Sequence, residues 1–190
     1  DAGQSDWLAE LRTVTVIFVN LPDLTHRTPL DEAHEIMRTM QTTLYRYEGS
    51  INKLSVDDKG ASLIGVMGLP PLAHEDDPAR GAHAALAIRE ALDRLGLRGS
   101  VGVTTGLAFC GSVGGPSRRE YTVMGDVVNL AARLMQAAGG GILCDRPTAT
   151  GAAGRLTFEP LEPIALKGKR EPVAVFRPRA RDDAAARAVS

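Results

Sequence analysis

The 190-residue chain carries 22 lysines and arginines against 23 aspartates and glutamates, a formal net charge of −1. That balance excludes a bulk attraction to nucleic acid or to an acidic membrane surface, so any basic site must be local. The length suits one domain with a sizeable core, and two cysteines, Cys110 and Cys144, are too few for a disulfide framework or a paired thiolate metal site.

No apolar run approaches the ~20 residues that cross a bilayer, and the N-terminus has neither a basic region nor an apolar signal core. The sequence is therefore expected to be soluble and cytoplasmic, with reduced thiols. It begins at Asp1 without methionine and closes on a tail rich in alanine, arginine and aspartate, as expected of a segment cut from a longer protein. The expected organisation is a flank at 1–11, one folded domain at 12–178 and a flexible tail at 179–190.

Residues Thr13 to Val19 (TVTVIFV) form a β-branched apolar run that ends at Asn20-Leu21-Pro22-Asp23, the pattern of a buried strand and a turn. After Pro29, Leu30, Ala33, Met37, Met40 and Leu44 repeat at helical spacing until Gly49. Extended runs at Ile51 to Val56 and Ala61 to Met67, joined by Asp57-Asp58-Lys59-Gly60, read as a hairpin.

A second helix is expected from Asp77, read as its cap, through Pro78 at its first position to about Gly96. Strands at Ser100 to Thr104 and Leu107 to Val113 are expected on either side of Gly106, then the loop Gly114-Gly115-Pro116 and a third helix over about Asp126 to Ala138. Two more strands, Leu161 to Leu166 and Val173 to Phe176, flank the basic turn Lys167-Gly168-Lys169-Arg170-Glu171. The order predicts an α+β fold with a ferredoxin-like βαββαβ core and a C-terminal extension.

The third helix is the most informative segment. Val127, Ala131, Leu134 and Ala138 share one face, and Asn129 and Arg133, four residues apart, share the opposite one. An amide and a guanidinium side by side are, on an arbitrary helix, more often a solvated face than a site. Their surroundings change that weighting.

The runs GVTTGLAFCGSVGG and REYTVMGDVVNLAARL together closely resemble the central signature of class III adenylate and guanylate cyclases. The similarity extends to RTVTVIFVN, GSINKLSVDDKG and ALKGKREPV, and covers roughly Arg12 to Arg177. It resembles in particular the second catalytic half of soluble, bicarbonate-responsive-type adenylate cyclases.

The resemblance implies two cyclase domains paired head to tail, with the nucleotide between them. It implies that Lys53 and Thr122 read the adenine edge, where guanylate-selective relatives carry glutamate and cysteine. Asn129 would orient the ribose and Arg133 the α-phosphate, a role suited to a planar donor that stays charged. Lys167 would contact pyrophosphate, with Lys169 as its near alternative and simple turn solubility as the ordinary reading.

Two Mg²⁺ or Mn²⁺ ions are implied, and hard cations want carboxylates. Here the sequence departs from the family pattern. Asn20 stands at the end of the first strand, where a metal-binding domain has aspartate. Asp57 aligns with the second metal position when counted from Lys53, and Asp58 is left open as its alternative. Asp23 lies past Pro22 and is not expected to rescue the site.

The expected function is therefore one half of an adenylate cyclase that converts ATP to 3′,5′-cyclic AMP and pyrophosphate. A metal-competent cyclase domain, expected in the same full-length chain, would hold most of the metal. A homodimer in isolation would be weak or inactive. The alternative is a noncatalytic nucleotide-binding or dimerisation domain. Single-stranded RNA binding is disfavoured, because aromatics make up only 4% of the chain. LSVDDKG is also not the acidic signature a diguanylate cyclase would need.

Overall fold

A computed structural model of the chain describes residues 10–57, 59–115 and 118–180. In chain order the elements are β1 (Glu10–Leu21), α1 (Leu30–Arg46), β2 (Ser50–Asp57), β3 (Gly60–Met67), α2 (Asp77–Arg94), β4 (Ser100–Gly115), β5 (Arg118–Met124), α3 (Asp126–Ala137), β6 (Ile142–Asp145), α4 (Arg146–Gly151), β7 (Thr157–Pro160) and β8 (Val175–Arg179). The strands form one sheet in the order β2-β3-β1-β4-β6-β8-β7, with β5 paired to the far half of β4. Its first four members are antiparallel neighbours, which is the ferredoxin-like core expected from the sequence.

Side chains alternate along each strand, so β1 sorts its residues between two sheet faces. Ile17, Val19 and Leu21 point to one face, where Ile36, Met40 and Leu44 of α1 and Ile88 and Leu92 of α2 close a continuous core. Gly65 lets α1 approach here, because a Cβ on it would stand 2.9 Å from Leu44 Cδ2. Val14 and Val16 point to the opposite face and pack with Val66, Val123, Val127 and Ala131 beneath α3. There the helix backbone rests directly on Gly102, whose Cβ would lie 2.1 Å from the Ala131 carbonyl oxygen. The buried Thr104 hydroxyl donates to the Val127 carbonyl at 2.8 Å and fixes the helix axially.

Several expected boundaries are corrected. The two strands expected around Gly106 are one 16-residue strand. Gly106 stays in register opposite Val14, within the ladder and beneath Val127 of α3. Leu161 to Leu166 is not a strand but makes only the isolated bridge Ile164↔Val173, and Pro163 within it has no amide to donate. Pairing instead occurs at β7 and β8. Asp77 begins α2 without capping it, and its carboxylate turns back to accept the His74 amide at 3.0 Å.

Of the tail expected at 179–190, Arg179 is the last residue of β8 and pairs with Thr157, and residues 181–190 lie outside the described residues, as does Asp58. Both cysteines are free and buried, and burial pushes the Cys144 thiol well above its ordinary value. Among the described residues, no helix is long and apolar enough to cross a membrane.

Candidate active site

The α3 face of the sheet is covered only in part, and the candidate residues lie along its rim. At one end, Asn129 is exposed and Arg133, one turn later, is half-buried. The Arg133 guanidinium lies over the turn after Leu166, because a Cβ on Gly168 would stand 3.4 Å from Arg133 Nη2. Glycine is favoured at 168 by its φ of 81°. The turn closes through the Lys169 amide donating to the Leu166 carbonyl at 3.0 Å.

The two lysines of that turn differ in employment. The Lys169 ammonium is 2.5 Å from the Asp126 carboxylate at the start of α3, so its charge is already partnered. Lys167 is exposed. Among the described residues, none of Lys53, Asn129, Arg133 and Lys167 is held by a side-chain hydrogen bond or ion pair.

Lys53 owes its orientation to an irregularity. Ile51 pairs with Gly65 and Lys53 with Ile64, so Asn52 is an extra residue, a β-bulge. Directly opposed residues share a sheet face, and Ile64 belongs to the α3-side cluster. The bulge therefore turns Lys53 to the α3 side. An unbroken ladder continued from Ser50↔Val66 would have turned it against α1. Thr122 lies on β5 opposite Gly111 of β4, between Tyr121 and Val123, which pack into the same cluster. Sequence reading missed β5, β6, α4, the bulge and the left-handed backbone at Gly168. The ladder partners of β5 are brought near only by the fold.

At the other end of the same face, Asn20 and Asp57 line one cleft of about 440 Å³, together with Lys59, Ser62, Ser100 and Gln136. Asp57 Oδ1 accepts the Lys59 amide at 2.7 Å, an Asx-type closure of the hairpin turn. Among its described lining residues the cleft thus offers one carboxylate, two amides and one ammonium. No group of three described histidine, cysteine, aspartate or glutamate side chains is placed to share an ion. This donor set does not fit a two-ion centre, which needs more negative charge than it supplies.

Asp23 is committed elsewhere. It accepts from the Arg98 backbone amide at 2.9 Å and from the Arg98 guanidinium, hydrogen bonds that hold its carboxyl below the ordinary range. The other perturbed carboxylate near α3 is Asp145. Burial pushes it up, although it accepts amides from Thr148 at 3.0 Å and Thr105 at 3.3 Å.

A βαββαβ sheet with a partly open α3 face, a basic turn under a helix arginine and a cleft at the end of the first strand define a nucleotide cyclase domain. The chain belongs to the adenylate and guanylate cyclase catalytic domain family, whose model matches residues 8–176. It is 34% identical over 181 residues to "Adenylate cyclase type 10" of Rattus norvegicus, covering 90% of this chain and 11% of that protein. The human protein of the same name is 37% identical over 155 residues, covering 77% of this chain and 9% of that protein. The chain thus spans about a tenth of the length of these curated relatives. Among solved structures, the adenylyl cyclase CyaB from P. aeruginosa superposes with a TM-score of 0.81 at 23% identity, covering 93% of this chain and 98% of that one.

Proposed function

We propose that this domain is one catalytic half of an adenylate cyclase, converting ATP to 3′,5′-cyclic AMP and pyrophosphate in a site completed by a metal-competent cyclase domain. One observation carries the reading: Arg133 approaches the 166–169 turn and is not among the described residues that line the Asn20 cleft. The cleft meets α3 at Ala132, Met135 and Gln136. A chain that keeps its phosphate-binding cation away from its own cleft gains a complete site only by facing a second domain.

In the reaction the ribose 3′-hydroxyl loses its proton to solvent, its oxygen bonds to the α-phosphorus, the bond from that phosphorus to the bridging oxygen breaks, and pyrophosphate departs with that electron pair. Such a displacement needs alignment and charge neutralisation more than covalent help. Lys53 donates to a ring nitrogen of adenine and Thr122 meets its exocyclic amine. Asn129 orients the ribose, Arg133 takes up charge developing on the α-phosphate, and Lys167 meets the departing pyrophosphate. Lys167 is preferred to Lys169 because the latter is paired with Asp126. Class III cyclases use Mg²⁺ or Mn²⁺, which activates the attacking oxygen and steadies the leaving one. In this reading the partner domain holds it, and a homodimer is weak or inactive.

The test is cyclic AMP formation from ATP with Mg²⁺ or Mn²⁺, by the chain alone and mixed with a metal-competent cyclase domain. The expected result is little activity alone, a gain on mixing, a gain on Asn20→Asp, and a loss of about a hundredfold or more from either on Arg133→Ala. Strong activity of the unpaired wild type would refute the partner requirement. A second reading, a noncatalytic nucleotide-binding or dimerisation domain, draws support from the charge-balanced Asn20 cleft. Tight ATP binding with no turnover beside any competent partner would select it.

A further inference from the structure

Between the two residues assigned to the adenine edge lies a contact that neither assignment uses. Asn52, the extra residue of the β2 bulge, reaches across the α3 face and donates through Nδ2 to the Tyr121 carbonyl at 3.4 Å. It immediately precedes Lys53, and Tyr121 immediately precedes Thr122. This side-chain bond spans from β2 to β5, two strands that are not ladder neighbours. A cleft of about 360 Å³, lined by Asn52, Tyr121, Ser112, Leu69 and Pro70, separates the two segments around it.

We infer that Asn52 is a positioning residue that sets the spacing between Lys53 and Thr122, and so the discrimination of adenine from guanine. The inference rests on the proposed base-reading role of that pair. Two hydrogen-bonding groups discriminate between bases only while their separation is fixed, since a loose pair can satisfy either donor pattern. Lys53 has a long flexible side chain on a strand whose register is interrupted, and Thr122 stands on an arm whose ladder partner is β4 and whose neighbours Tyr121 and Val123 pack into the α3-side cluster. Asn52 acts on both segments. As the bulge residue it turns Lys53 toward the α3 side, and as a donor it ties the backbone of the arm to that bulge.

The chemistry demands a donor at this position. Aspartate matches asparagine in shape but, ionised, has two acceptor oxygens and would face the Tyr121 carbonyl with repulsion. Glutamine keeps the donor on a longer arm. The expected order of adenine preference is therefore wild type, then Asn52→Gln, then Asn52→Ala, with Asn52→Asp lowest.

The experiment measures the ratio of kcat/KM for ATP to that for GTP in the chain paired with a metal-competent cyclase domain. For the chain itself it measures the ratio of the calorimetric Kd values of the two nucleotides. Lys53→Ala serves as reference and thermal melting as fold control. Losing one hydrogen bond corresponds to roughly a 2- to 13-fold effect. Asn52→Ala is expected to lower the ratio about fivefold and Asn52→Asp further, chiefly through KM for ATP, with Asn52→Gln recovering part of it. If Lys53→Ala lowers the ratio and both Asn52→Ala and Asn52→Asp leave it within about twofold of wild type, the positioning role is overturned and the base-reading pair stands. If Lys53→Ala also leaves the ratio unmoved, the base-reading assignment fails and takes this inference with it.

Discussion

The two faces of the sheet are built to different ends. On the α1 and α2 side, every large residue of the cluster formed by Ile17, Leu21, Met40, Leu44, Leu63, Ile88 and Leu92 is at most 1% exposed. On the α3 side one short helix is pressed against glycine and alanine, and the remaining width is left to polar residues, among them Lys53, Asn129 and Arg133. The closed face carries stability through burial. The half-covered face carries the residues proposed for the chemistry, around a helix that takes up little room. The comparison teaches that the glycines under α3 serve the site: they lower the helix onto the sheet and leave its outer residues clear of apolar cover.

The sharpest way to break that comparison is to lift α3. Gly102→Ala places a methyl about where the Ala131 carbonyl and Met135 amide already stand, with no flexible side chain to give way. Its expected cost is about 3 kcal/mol or more, read as a large fall in urea midpoint together with lost nucleotide binding. An unchanged midpoint would mean that α3 does not seat on β4 as described.

Leu92→Ala strikes the closed face instead. Leu92 is fully buried, so truncation is expected to cost about 3 kcal/mol in denaturation. Nucleotide affinity per folded molecule should be retained. If affinity fell in step, the two faces would not be energetically separate.

Asp145 gives a smaller and pH-dependent effect. Its carboxylate caps α4 by accepting the Thr148 amide, yet burial raises its pKa above the ordinary 3.8. With the folded value above the unfolded one, its contribution is most favourable below about pH 4 and declines as pH rises through the raised folded value. Asp145→Asn keeps an acceptor for the cap and removes the buried charge. Its stability relative to wild type should therefore be better at pH 7 than at pH 4, by urea denaturation at the two pH values. Asp145→Ala also loses the cap and should cost about 1–2 kcal/mol. The smallest effect belongs to Asp23→Asn. Its partner Arg98 is 77% exposed, so salt should mask what little the melting temperature moves.

Much of this was legible in the sequence. Periodicity found α1, α2, α3 and the β2–β3 hairpin, because each buries one regular stripe or ends at a strong turn signal. The βαββαβ order followed from these. Asn129 and Arg133 were visible as a shared helix face, whereas Lys53, Thr122 and Lys167 came from family resemblance, since a lone strand lysine or turn hydroxyl carries no periodic signal. Gly106 misled, because a glycine that stays in a strand ladder is indistinguishable in sequence from one that ends a strand. The arm β5 was missed because only Tyr121 and Val123 among its residues form an apolar alternation, too short a pattern to mark a strand. The Asn52 bulge could not be seen, because a one-residue irregularity exists only relative to a partner strand.

The Asn20 cleft has a consequence for robustness. Two aspartates facing one another are a stored repulsion, relieved only when a cation arrives, so a domain that carries both ties part of its fold to the divalent supply. With an amide at Asn20, and with Lys59 beside Asp57, the described lining of the cleft carries no net charge to be quenched. On the proposed reading, dependence on the ionic medium is exchanged for dependence on a neighbouring domain. The fold of this chain should persist in metal-poor surroundings, and one substitution, Asn20→Asp, is the step by which that exchange would be reversed.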